Sequence, residues 1–411
     1  MKSSQTHYPS LLGFIFFAGA ALLLITVGVV FGFSALFVFL GKGGANAQST
    51  IYSAAMFALG ILLGFISIIS LLKFLNNPFA DESVSTSFPG WWAPAGLLGA
   101  GLFLLVGYMI QDVFSINWLA LPILTIPAAI LPIWAIVALG ARGLSFGSRW
   151  RVWGILGVSL TVTPFLLFML EVVIVIGIVI LVVIYAAANP QAAMEFEGLS
   201  KQLTFIDLES EEQALRVILP YLLKPSVIVP AMLFFSVVIP LLEELVKPLG
   251  VWLLAGKLES AAQGFVFGAL GGAGFALIET FNVSGQMGAS WGIVLFTRIG
   301  TGLLHITTSA LMGGAIFLAI RERRYLRLLG TYLLVVLLHG LWNASALTVS
   351  FSTLAGTYLQ PARFEVIQWI SGIVILALAV ALFVILIASN RRYQKQAPVE
   401  GTPAPADEPV M

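Results

Sequence analysis

The chain has 411 residues, 59% of them hydrophobic and only 9% charged, with a mean hydropathy of +1.02. Soluble domains carry about 25% charged residues, so a soluble fold is excluded and an all-α polytopic transmembrane bundle is expected. A net charge of +1 argues against nucleic acid as a partner, and the absence of cysteine excludes disulfides and thiolate-bound metal.

Hydropathy predicts ten spans, near 11–40, 51–73, 90–110, 115–140, 152–187, 226–255, 262–283, 290–319, 327–350 and 364–389. The first apolar run is too long for a signal-peptide core and reads as a retained span. Arg142, Arg149 and Arg151 follow span four; Arg321, Arg323, Arg324 and Arg327 follow span eight; Arg391, Arg392 and Lys395 follow span ten. Ten spans put these clusters on one side with both termini, and the positive-inside rule makes that side cytoplasmic. The expected location is the cell membrane, with the lipid bilayer itself as a partner. The expected organisation is a five-span region over 1–187, an acidic outer loop over 188–225 and a four-span core over 226–350. A final span over 351–390 and a disordered cytoplasmic tail over 391–411 complete it.

The first five spans hold little recognisable chemistry. Pro122, Pro127 and Pro132 predict a kinked or re-entrant fourth span. Span five exceeds the length a bilayer needs and is expected to tilt or project; its Glu171 has Lys247 and Arg298 as candidate partners. In the outer loop, the acidic start and apolar end of residues 210–225 predict an interfacial helix. The Pro- and Ala-rich segment from Gln396 has no apolar periodicity.

Span six is the anomaly. Glu243, Glu244 and Lys247 lie inside an apolar run, where each charge costs roughly 2.5–3.5 kcal/mol on insertion scales. On a helix, Glu243 lies about 40° from Lys247 and about 100° from Glu244, so the three share one arc. Pro240 and Pro248 bracket them and each removes a helix hydrogen bond. A structural Glu–Lys pair linking two helices would leave the second carboxylate unexplained.

Spans seven to nine repeat the pattern. Gly264, Gly268 and Gly272 form a strip that admits a close neighbouring backbone, and Phe275 and Glu279 follow one turn apart. Arg298, Thr301, His305 and Thr308 share a face of span eight, and His339 and Asn343 lie one turn apart on span nine. Two of only three histidines therefore sit at the centres of consecutive spans. Four carboxylates, Glu171, Glu243, Glu244 and Glu279, face only Lys247 and Arg298. Such a set binds a divalent cation or holds protons, as active sites do.

The series EExxK (Glu243, Glu244, Lys247), FxxxE (Phe275, Glu279), His305 and HxxxN (His339, Asn343) resembles PrsW-type intramembrane proteases. More distantly it is similar to CAAX-prenyl endopeptidases and bacteriocin-processing membrane proteases. The match spans residues 240–344. It implies a protease acting on membrane-embedded or membrane-proximal proteins, anti-sigma factors among them. Two positions depart: PrsW patterns often carry Asp at the place of Asn343, and prenyl-endopeptidase patterns carry His at that of Glu279.

Two arrangements would meet the needs of peptide hydrolysis. In one, His305, His339 and Glu279 bind zinc and leave a position for water, while Glu243 or Glu244 is the general base, with Lys247 or Arg298 alongside. In the other, a glutamate activates water without metal, and His339 and Asn343 donate to the oxyanion. A proton- or ion-coupled transporter also keeps Glu, His and Lys at the midplane and stands as the alternative class, although no internal repeat is visible.

Overall fold

The computed structural model describes residues 7–41, 47–84, 89–113, 115–204, 211–285, 290–358 and 361–396. Helices account for nearly all of them, and the one β feature is an isolated bridge between Ser83 and Ser148. Ten helical segments among the described residues are long and apolar enough to cross a membrane. They coincide with the ten predicted spans.

The first spans are α1 (Tyr8–Leu40) and α2 (Ala47–Phe74), followed by the single turn α3 (Pro78–Asp81). Then come α4 (Trp92–Ile110) and α5 (Asn117–Gly140), the latter one continuous helix with its three prolines inside. The fifth span is two helices, α6 (Arg149–Leu160) and α7 (Val162–Ala188), parted at Thr161. Its excess length is thus absorbed partly by a break. The segment between spans five and six holds α8 (Pro190–Thr204), which the sequence reading did not anticipate, and α9 (Glu211–Leu222), where an interfacial helix is expected. Asp207 and Glu209 of that segment lie outside the described residues.

Span six is assembled from pieces: α10 (Pro225–Leu233), a π-helical turn (Phe234–Val238), α11 (Ile239–Val246), α12 (Leu249–Leu254) and a 3₁₀ turn (Ala255–Lys257). Three unbroken helices follow, α13 (Ala261–Ser284), α14 (Trp291–Glu322) and α15 (Tyr325–Tyr358), and then α16 (Pro361–Gln396). α16 continues six residues into the segment read as tail, and residues 397–411 lie outside the described residues.

α13 and α14 form the centre. Most of each is buried, as expected of helices apolar all round. Their contact is backbone on backbone: a methyl at Gly264, Gly268 or Gly272 would overlap the carbonyl oxygens of Gly313, Ser309 and His305 respectively. The glycine strip thus fixes the depth at which α14 presents His305 beside α13. Peripheral helices keep lipid-ready surfaces; Val173 and Leu181 on α7 remain 67% and 66% exposed.

The basic clusters meet at one end. Asn390 and Gln394 of α16 donate to the carbonyl of Arg142, and a cavity of about 620 Å³ is lined by Arg324, Arg327 and Arg392 together. His7 shares a second cavity with Arg151 and Lys257, and Ser145 and Glu259 line both cavities. The beginning of α1 and the end of α16 therefore lie on the same face as all three arginine clusters.

Candidate active site

The segmentation of span six follows from its prolines. Pro240 has no N–H, so in the π register the carbonyl of Phe235 loses its partner. The Asn343 side chain replaces it, its Nδ2 donating to Phe235 O at 2.9 Å. The adjacent Gly340 lets α15 approach the Ser236 carbonyl, which a methyl there would meet at under van der Waals distance. Pro248 ends α11, and Trp252 Nε1 donates to Leu245 O at 3.1 Å. The Tyr332 hydroxyl donates to Leu241 O at 2.7 Å. These bonds hold the Glu243–Lys247 turn from both ends. Tyr332 and Trp252 carry no motif, and no signal in a single sequence would have found them.

Lys247 is fully buried, and its ammonium is the hub. It lies 2.7 Å from Glu243 Oε2, 3.0 Å from Glu244 Oε1 and 2.7 Å from His305 Nδ1. The ammonium donates to Glu244 Oε1 and His305 Nδ1, and its contact with Glu243 is an ion pair. His339 Nδ1 sits 2.8 Å from Glu244 Oε1 and 3.4 Å from the ammonium. Phe275 covers the group, its ring centroid 4.8 Å from Nζ and 5.1 Å from the His305 ring.

The network assigns the tautomers. His305 Nδ1 accepts from Lys247, so its Nε2 carries hydrogen and donates to Glu279 Oε2 at 2.7 Å. His339 Nδ1 donates to Glu244, leaving Nε2 as the nitrogen with a free lone pair, 3.8 Å from Glu243 Oε2. Glu279 is held in turn by Arg298, whose Nη2 lies 2.5 Å from Oε2 and whose Nη1 donates to Oε1 at 3.3 Å. Arg298 Nε also donates to Thr280 Oγ1 at 3.4 Å.

The eight residues singled out from the sequence fall into two connected groups and one outlier. Glu243, Glu244, Lys247, His305 and His339 form one cluster, Glu279 and Arg298 join it through His305 Nε2, and Asn343 lies one turn beyond, against Phe235. Glu171 is half-buried on α7 and makes no ion pair with Lys247 or Arg298.

Whether this donor set fits a metal can be read from its atoms. One ligand atom each from Glu243, His305 and His339 lies within 4.8 Å of the others. A carboxylate and two imidazoles suit zinc. The Lys247 ammonium sits among these donors, 2.7 Å from both Glu243 Oε2 and His305 Nδ1. Glu244 Oε2 is buried and carries no hydrogen bond. The residues fit, with one change from the expectation: Glu243 completes the trio, and Glu279 stands behind His305, on the nitrogen facing away from Lys247. The spacing puts Glu279 one turn from Phe275, where it is expected as a zinc ligand, but does not fix the direction of its carboxylate.

A family model described as PrsW family intramembrane metalloprotease matches residues 165–386, just over half of the chain and all of this cluster. No curated protein and no solved structure matches the chain.

Proposed function

Since the chain belongs to the PrsW family of intramembrane metalloproteases, we propose that it hydrolyses peptide bonds of membrane-embedded or membrane-proximal proteins at the Glu243–Glu244–His305–His339 cluster. The observation that carries this reading is a fully buried carboxylate, Glu244, with one oxygen fixed and the other free. Oε1 is held by Lys247 and His339, which orients the group, and Oε2, buried and without a hydrogen-bond partner, keeps its lone pairs for a proton taken from water.

Glu243, His305 and His339 would hold the divalent cation, and zinc is the ion this donor set favours. Such an ion supplies Lewis-acid polarisation of the scissile carbonyl and acidifies a bound water. The remaining work belongs to the chain. Glu244 takes the water's proton as its oxygen adds to the carbonyl carbon, and returns it to the leaving amine as the C–N bond breaks. Glu279, anchored by Arg298, keeps His305 in the tautomer with Nδ1 turned to the site. Asn343 holds the π-helical turn with one amide hydrogen, and its other amide hydrogen is the candidate oxyanion donor.

One observation favours a second arrangement without metal. The Lys247 charge already lies where a cation is needed, so Glu243 or Glu244 would activate water with Lys247 balancing the charge. Substrates of the anti-sigma-factor type, and a more distant kinship with CAAX-prenyl endopeptidases and bacteriocin-processing proteases, belong to the same proposal and rest on the motif order. So does a cytoplasmic placement of both ends in the cell membrane, which the shared basic face supports.

The test is Glu244→Gln in the reconstituted protein. Cleavage of a membrane-protein substrate should fall by about 10²–10⁴-fold, the usual contribution of a general base. Retained cleavage would remove Glu244 from that role.

A further inference from the structure

The Lys247 ammonium and the candidate metal draw on the same atoms. Lys247 Nζ contacts Glu243 Oε2 and His305 Nδ1, each at 2.7 Å, and these residues supply two of the three candidate donors. A neutral imidazole has one nitrogen lone pair. Because His305 Nε2 carries the hydrogen given to Glu279, Nδ1 is its sole acceptor, and that lone pair serves either the ammonium or a metal. A second positive charge within the same few ångströms would also repel the divalent ion.

We propose that Lys247 is a built-in competitor for the metal: it holds the donor set assembled in the metal's absence and must withdraw from His305 before a divalent cation is bound. The inference rests on the metal-bearing reading above. The geometry gives the ammonium somewhere to remain, since Glu244 Oε1 lies 3.0 Å away and is not among the candidate donors. It also explains how two carboxylates and two imidazoles stay together at membrane depth before loading: without Lys247, Glu243 and Glu244 would be adjacent charges with no counter-charge, Glu244 keeping only its bond from His339. The consequence is low metal affinity by construction, with Lys247 setting its value.

The experiment is a Co²⁺ and Zn²⁺ titration of the purified full-length chain in lipid nanodiscs, comparing the native protein with Lys247→Met and Lys247→Gln. Binding is read from Co²⁺ visible absorption and from metal content by mass spectrometry. Groups beside metal ligands alter affinity by about 10–100-fold, and both variants should bind tighter by a factor in that range. Thermal unfolding in chelator supplies the second readout. Both variants should unfold at lower temperature than the native protein, and added Zn²⁺ should raise their midpoints more than it raises the native one.

Variants that bind no tighter than the native protein, with Glu243→Gln abolishing binding in each background, would overturn the competitor role and leave the metal site standing. Absence of binding in the native protein and in both variants, with cleavage indifferent to chelator, would overturn the metal reading and this proposal together. The glutamine variant keeps a hydrogen-bonding side chain beside Glu243 and Glu244, so a collapsed methionine variant does not end the test.

Discussion

At the scale of single residues, what the sequence revealed was identity and spacing, and what it concealed was direction. EExxK on a helix requires Glu243, Glu244 and Lys247 to share an arc, and the structure joins all three through one ammonium. His305 and His339 at span centres likewise meet, their rings 5.5 Å apart. Glu279 could not be resolved this way. Its place on α13 puts it beside the site, but its choice between cation and histidine depends on Arg298, which lies on another helix. HxxxN puts Asn343 one turn from His339 but does not reveal the use of its first amide hydrogen, which serves the carbonyl orphaned by Pro240. That demand arises only once span six adopts a π turn. The Glu279 assignment gives a prediction. Glu279→Gln keeps the size of the side chain but weakens the orienting acceptor, so kcat should fall by about 10–100-fold, as for other groups that orient metal ligands. Steady-state cleavage rates check it, and an unchanged kcat would place Glu279 outside the machinery.

At the scale of elements, the ten spans were legible because a continuous apolar run has few alternatives in lipid. The breaks were less so. Prolines 240 and 248 announced that span six is interrupted, but three prolines left α5 a single helix while the fifth span broke at Thr161. Proline removes a bond without dictating the remedy; the neighbouring helices supply that. The small-residue strip was the more reliable element-level signal, and α13 does lie backbone to backbone against α14. Replacing Gly268 by Ala sets a methyl against the Ser309 carbonyl, where neither backbone can yield. Overpacking of this kind costs about 1–3 kcal/mol. The midpoint of thermal unfolding should drop, and activity should drop with it because His305 lies one turn from Ser309. Gly177 on α7 has nothing within 4 Å of the equivalent position, so Gly177→Ala is the matched control and should be neutral or slightly stabilising. Equal effects at both positions would contradict the packing account.

At the scale of the whole molecule, charge and hydropathy carried the architecture. The arginine clusters after spans four, eight and ten were assigned to one side by counting, and the fold brings them to one end around shared cavities. The proposal that this end faces the cytoplasm rests on the positive-inside rule and is open to direct measurement. The chain contains no cysteine, so a single introduced thiol reports sidedness cleanly. In intact cells, Gln202→Cys on α8 should react with a membrane-impermeant maleimide, and Lys395→Cys on α16 should react only after permeabilisation. The opposite pattern would invert the topology. The functional core was less visible at this scale. Composition alone fits a transporter as well as a protease, and it was the order of four short motifs on four helices that separated them.

The measurement that bears most directly on the central claim is cleavage of single-span membrane proteins by the purified chain in liposomes. It is run with and without a strong zinc chelator, beside the Glu244→Gln variant. The account predicts cleavage by the native protein, loss of it with chelator and recovery with added zinc, and none from the variant under any condition. Cleavage by the variant at the native rate, or native cleavage that neither chelator nor zinc alters, would contradict it; the second result would hand the positive charge in the site to Lys247 alone.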